Sequence, residues 1–271
     1  MSLLRASLFT LKILALMPIV LLAQQPATKA PANVVSKAQS LMSTAAEEGK
    51  YTFILFYKQN DPATASMNKI LQQSLADYAD GAVLTLVKVG DLSEKALVAK
   101  YDVARAPMPM TIAVAPNGAI TAVFSEKVKP ESVETAFVTP TMTAAMKALQ
   151  EDKLVFIVAG GSGKPVMPTA LRELQSDPHY KSRLVALSIQ VADPTEAKFV
   201  EQMQIDPNSK ATQSVLLAPP GVMVGKFAPT ATKAQIAAAL AESGKCCDDP
   251  NCAHNHAATR TAKPAAKSSK K

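Results

Sequence analysis

Tryptophan is absent from the 271 residues, and aromatics make up only 5% of them. A stacking platform for single-stranded nucleic acid needs such rings, so that class is excluded. Thiols are absent from the first 245 residues, because the only cysteines are Cys246, Cys247 and Cys252. Thiolate catalysis has no reagent in that stretch. Histidine is nearly as scarce, with His179, His254 and His256 alone. No histidine lies in residues 24–178, so a carboxylate there has no imidazole partner from within that stretch. Long apolar runs are missing too. The longest near the N-terminus, Ile13–Leu22, falls short of the roughly 20 residues that a comfortable membrane span takes.

What is present begins with charge at the ends. The net charge is +7. Residues 1–23 supply +2 (Arg5, Lys12) and residues 257–271 supply +5 (Arg260, Lys263, Lys267, Lys270, Lys271), with no acid in either segment. The chain between them is neutral, so its middle is no basic nucleic-acid binder. A basic start, a short apolar run and Ala23 before Gln24-Gln25 fit a secretory signal peptide over 1–23, cut after Ala23. The expected location is then the periplasm or the extracellular space. An uncleaved membrane anchor is the competing reading. No cysteine follows the run, which argues against a lipid-modified terminus. A Pro/Ala/Lys linker opens the mature chain, and 24–44 reads as linker and leading helix.

The chain repeats itself. TIAVAPNG (111–118) matches SVLLAPPG (214–221), and AITAVF (119–124) matches VMVGKF (222–227). LVAKYDV (97–103) matches FVEQMQI (199–205), and FILF (53–56) matches VFIV (155–158). The offset is 102 upstream and 103 downstream, which implies one extra loop residue in the second copy. The first copy reads as strand 51–57, helix 62–79, strand 82–89, helix 93–101, strand 110–115, a Pro-Asn-Gly turn, strand 119–125 and helix 130–138. Met67, Ile70, Leu71, Leu75 and Tyr78 share one face of the long helix. Asn117-Gly118 between apolar runs predicts a hairpin. A parallel pair beside a hairpin predicts an α/β fold with a mixed central sheet flanked by helices.

This order resembles the thioredoxin fold over residues 45–139 and again over 140–243. In the first copy the resemblance rests on Phe56-Tyr57 before the site and the Tyr101-x-Val103 helix end. It rests further on Met108-Pro109-Met110 leading into a strand and on the turn that follows Pro109. It implies two tandem thioredoxin-like domains and a cis bond at Met108–Pro109. A plain strand-initial proline is the local alternative. The family's Cys-x-x-Cys falls on Asp61 and Thr64, and its tryptophan on Asn60. Neither residue can exchange disulfides. The second copy's junction, AGGSGKPV (159–166), has no cysteine either, and Thr212 stands at its proline place.

Asp61 followed by Pro62 suits a helix N-cap and first position. Its carboxylate also puts a negative charge where the family's thiolate would sit. Thr64 reads as a first-turn residue. GGSGKP (160–165) lacks the glycine spacing and the Ser/Thr of a phosphate loop and reads as a flexible connection. His179 falls in a turn.

The segment 244–256, GKCCDDPNCAHNH, holds all the thiols and two imidazoles. Cys246, Cys247, Cys252, His254 and His256 could supply a tetrahedral set for Zn or a thiolate site for Cu(I). A disulfide with one thiol left over, or an idle tail, are the alternatives. Residues 257–271 read as a basic disordered tail that could touch anionic surfaces.

Three functions compete. The first is an exported, redox-inactive module that binds a protein or peptide partner. In the resembling family the proline loop offers its backbone to an extended peptide, which would here involve Asp61, Thr64, Met108, Pro109 and Met110. The second is metal handling by the tail cluster. The third is a thiol-disulfide oxidoreductase using tail cysteines, and no element of the sequence fixes those thiols beside a substrate. Catalytic residues are expected to be none.

Overall fold

A computed structural model describes residues 36–160 and 165–245. The expected signal peptide, most of the linker, the loop at 161–164, the Cys/His cluster and the basic tail lie outside the described residues.

The first half opens with helix α1 (Lys37–Glu47), whose N-cap Ser36 forms a capping box with Gln39. Strand β1 (Tyr51–Tyr57) and helix α2 (Pro62–Leu75) follow. Next come β2 (Ala82–Lys88), a short 3-10 turn at Leu92–Glu94 and helix α3 (Lys95–Lys100). The half closes with β3 (Met110–Val114), β4 (Ile120–Ser125) and α4 (Pro130–Glu134). The second half repeats the order with α5 (Pro140–Gln150), β5 (Leu154–Gly160) and α6 (Thr169–Ser176). It continues with β6 (Leu184–Gln190), a 3-10 turn at Pro194–Glu196, α7 (Ala197–Gln202), β7 (Gln213–Ala218), β8 (Val222–Phe227) and α8 (Lys233–Lys245).

Each half is a four-stranded sheet, ordered β2-β1-β3-β4 and β6-β5-β7-β8. The first pair is parallel in each, and the others are antiparallel. The central strands β1 and β5 are covered on both faces, which is why they read as unbroken apolar runs rather than alternating ones. Phe53 and Leu55 face α2 and α4 in one cluster, while Ile54 and Phe56 face α1 and α3 in another. Burying each of these side chains contributes about 1.5–3 kcal/mol. α1 carries Ala38 into that second cluster, so the core of the first half begins at Ser36.

The register corrects one detail of the repeat. Ile54 pairs with Ile112, and Ile157 pairs with Val215. Phe53 therefore corresponds to Phe156, and FILF (53–56) to FIVA (156–159), one residue on from the match read in sequence. The reason is the pleat. A slip of one residue moves every side chain to the opposite face, and Phe53 and Phe156 both face the long-helix side. The matches at 97–103 and 111–118 keep their sequence alignment.

The two halves are docked through α5. Its Ala145, Ala148 and Leu149 belong to the second core. From the same helix, the Thr143 carbonyl accepts from Asn117 Nδ2 at 2.9 Å. Gln150 accepts from the Ile120 N–H at 2.9 Å and donates to its carbonyl at 2.7 Å, as a neighbouring strand would. The hairpin that carries Asn117 needs Gly118, whose φ of 82° is left-handed.

Candidate functional site

β1 ends at Tyr57, and α2 starts at Pro62. Between them lies the junction that the sequence singles out. Asp61 is the N-cap: the Thr64 N–H donates to its Oδ1 at 2.8 Å. That backbone hydrogen bond from Thr64 is the largest influence holding the Asp61 carboxyl below the usual carboxylate value, although it is exposed. Thr64 does more than occupy a first turn. It is 3% exposed, and its hydroxyl donates to the Gln59 carbonyl at 3.0 Å, tying the loop back to the helix. Both side chains at the places that the resemblance gives to thiols thus hold the end of α2 in place.

The antiparallel pairing of Phe56 with Met110 sets the start of β3 beside the end of β1. The loop carrying Met108 and Pro109 therefore lies at the same sheet end as Asp61. The Met108–Pro109 peptide is cis. Pro109 is buried, and its carbonyl accepts from the Glu126 N–H at 2.7 Å. Met108 and Met110 are half-buried against the cluster of Phe56, Val98 and Val103. The apolar surface expected at 108–110 is therefore the exposed part of two methionines, with the proline turned inward. On the other side of β3, Ala63, Ser66, Met67 and Ile70 of α2 face Glu126, Lys127 and Val128 across an open groove. Thr111 donates to Met67 Sδ at 3.2 Å beneath it. Composition alone does not single out this groove, because its second wall comes from the turn after β4. Its only sequence signal is the apolar 67/70/71 face of the helix.

Burial pushes the Tyr101 hydroxyl up to about 12, so it stays protonated, and it has no hydrogen-bond partner among the described residues. Tyr101 packs edge-on to Phe56, with ring centroids 6.1 Å apart. His179 is exposed, with its backbone N–H donating to Asp177 Oδ1 at 2.8 Å and its ring edge-on to Tyr180. The expected metal ligands Cys246, Cys247, Cys252, His254 and His256 lie outside the described residues, and no other group of three candidate ligands clusters among the described ones. No described helix is long and apolar enough to cross a membrane.

In the second half the counterpart end is built differently. Thr212 precedes β7, and the first residue of that strand, Gln213, accepts from the Asp206 N–H and donates to its carbonyl. The cis peptide of that half is Pro219–Pro220, in the β7–β8 turn instead of before β7.

No family model and no curated protein matches the chain. Several solved structures are similar in shape. Thioredoxin O2 from Arabidopsis thaliana, in its oxidised state, is 14% identical, with a TM-score of 0.31 over 37% of this chain and 85% of its own. The disulphide isomerase from Xylella fastidiosa Temecula1 is 15% identical, with a TM-score of 0.30 over 45% of this chain and 99% of its own. The first two thioredoxin domains of Naumovozyma dairenensis Eps1p are 11% identical, with a TM-score of 0.28 over 89% of this chain and 100% of theirs. The strand order, the mixed pairing and the helices on both faces, repeated in each half, make this chain two tandem thioredoxin-like α/β domains.

Proposed function

We propose that this chain is an exported, redox-inactive module that binds an extended peptide or protein segment at the first domain. One observation carries the reading. At the same sheet end as the β1–α2 junction lie an open groove between α2 and the turn after β4 and, on the other side of β3, a methionine-bearing loop, while Asp61 and Thr64 are engaged in capping the helix. Methionines adapt to varied apolar side chains, and a strand-like ligand can pair its backbone beside the loop at 107–110. Export rests on the basic start and short apolar run ahead of Ala23.

The test has two arms. A truncated chain ending at Ser243 contains no cysteine and is expected to reduce insulin no faster than buffer. The full chain is expected to bind short extended peptides with an apolar centre, and Ile70→Glu in the groove wall is expected to weaken that binding about tenfold or more, as loss of an apolar anchor does. Turnover by the truncated chain would overturn the first part. Absence of peptide binding, or binding indifferent to Ile70→Glu and to Met108→Glu, would overturn the second.

A second reading stays with the tail. Five ligand-type residues within 246–256 favour a Zn or Cu(I) site there, with the domains as its carrier. If full-length protein reduced insulin and lost that activity on Cys247→Ser, the tail thiols would be catalytic instead.

A further inference from the structure

Exposed cations collect at one end of the first sheet. Lys58 follows β1, and Lys88 ends β2 in register with Tyr57. Arg105 stands in the loop that enters β3, and Lys127 and Lys129 follow β4, whose Ser125 pairs with Met110. Adjacent strands lie about 4.8 Å apart, so these residues span roughly 14 Å across the strand ends. Lys127 also forms part of the wall of the groove described above.

The described ion pairs are Lys50–Glu48, Lys147–Glu151, Lys153–Glu151 and Lys233–Asp177, so none of the five cations is used in one. Exposed carboxylates at this end are Asp61, Asp91, Asp102, Glu126 and Glu131. Two of them are engaged locally: Asp61 caps α2, and Asp91 accepts from Ser93. The charge of Lys88 acts on Asp91 as the weakest of the influences lowering it.

The second domain serves as an internal control. It has the same strand order, yet Lys88, Lys127 and Lys129 correspond to Gln190, Thr230 and Thr232. Arg105 corresponds to the uncharged stretch Pro207-Asn208. Lys210, further along that loop, is the exception, so the fold does not require cations at the other places, and the fuller set in the first domain calls for another reason.

Resting on the peptide-binding reading, the geometry points to the ligand's chemistry: an extended segment with an apolar anchor for the groove and acidic residues on its flanks. At roughly 3.3 Å per extended residue, about four residues cross the strand ends. The anchor meets Met67 and Ile70, and the flanking carboxylates meet the cations on either side. The basic tail at 257–271 carries the same sign as this rim and is repelled by it, so it is not the occupant.

The test measures affinity of the full chain for three short peptides that share a Leu-Met-Val centre and differ in flanks of glutamate, serine or lysine. At low ionic strength the glutamate-flanked peptide is expected to bind about tenfold tighter than the serine-flanked one, with the gap narrowing at physiological salt. Lys88→Glu/Lys127→Glu/Lys129→Glu is expected to reverse the order in favour of the lysine-flanked peptide, and Lys127→Glu alone to move it part of the way. Equal binding of all three peptides would overturn the inference and leave the peptide-binding reading intact. No binding of any would overturn both. A preference that survives the charge reversal and disappears on removal of 257–271, or full competition by anionic lipid vesicles, would assign the effect to the tail and overturn the inference.

Discussion

Asp61 shows how one side chain can stand at a functional position and be explained by the helix it starts. Its carboxylate accepts from the Thr64 N–H, Pro62 follows at a position that needs no donor, and Thr64 closes back onto Gln59. Asn caps nearly as well as Asp, so Asp61→Asn is expected to leave the melting temperature almost unchanged. Asp61→Ala removes the cap and is expected to lower it by about 2–4 °C. The pH dependence separates charge from capping. The folded-state value of Asp61 is lowered, so its contribution is present above the ordinary carboxylate value and is lost as pH falls through the lowered one. Asp61→Asn is expected to flatten that acid-side slope, which thermal melts across the acid range would read. If Asp61→Asn instead abolished peptide binding with the fold intact, the carboxylate would be part of the binding site.

At the scale of elements, each domain secures its leading helix with a buried glutamate from the 3-10 turn before its third helix. Glu94 Oε1 accepts from the Ala38 N–H at 3.4 Å. Glu196 Oε1 accepts from the Thr141 N–H at 2.8 Å and from its hydroxyl at 2.7 Å. Ala38 and Thr141 both stand second in their helices, where the N–H has no partner within the helix. Both carboxylates are at least nine-tenths buried. Glu196→Ala is expected to cost roughly 2 kcal/mol, for the loss of two short bonds at a buried site. Glu94→Ala is expected to cost less, since its single bond is long. Urea melts of the two variants would check the ranking, and an equal or reversed cost would show that the paired bonds do not decide it. Because α5 also touches Asn117 and Ile120, Glu196→Ala should loosen the docking of the halves as well, seen as faster amide exchange at Ile120.

On the scale of the whole molecule, the two domains are flanked by segments whose sequences differ from theirs in composition. The cores of both domains lie within 36–245, so both are expected to fold without a tail metal. Zn titration of reduced full-length protein is expected to show one site through Cys247, Cys252, His254 and His256, with Cys246 as substitute. The affinity should fall as pH drops, because bound thiolates and imidazoles must give up their protons. The chain ending at Ser243 is expected to show no such site and an unchanged melt. Equal uptake by both chains, or none by the full one, would leave the cluster as a disulfide or an idle tail. Export has its own check: N-terminal sequencing of the cell-envelope form is expected to begin at Gln24, and an intact Met1 would refute cleavage.

Much of this protein is legible in its sequence. The length and continuity of the apolar run locate β1 at 51–57 to the residue, because a strand buried on both faces leaves an unbroken signal. The Asp-Pro start of α2, the Asn-Gly hairpin and the absence of thiols from residues 1–245 are equally local facts. Other features depend on tertiary structure. The alignment of β1 with β5 turns on which face each side chain buries, and four similar apolar residues in a row do not distinguish a shift of one. The partners of Glu94 and Glu196 lie 56 and 55 residues away, and the groove takes its walls from α2 and from a turn after β4. The rim of cations joins residues from four strand ends. Local sequence sets the dihedrals and the periodicity, but only sheet pairing brings distant residues to one edge, where their charges act together.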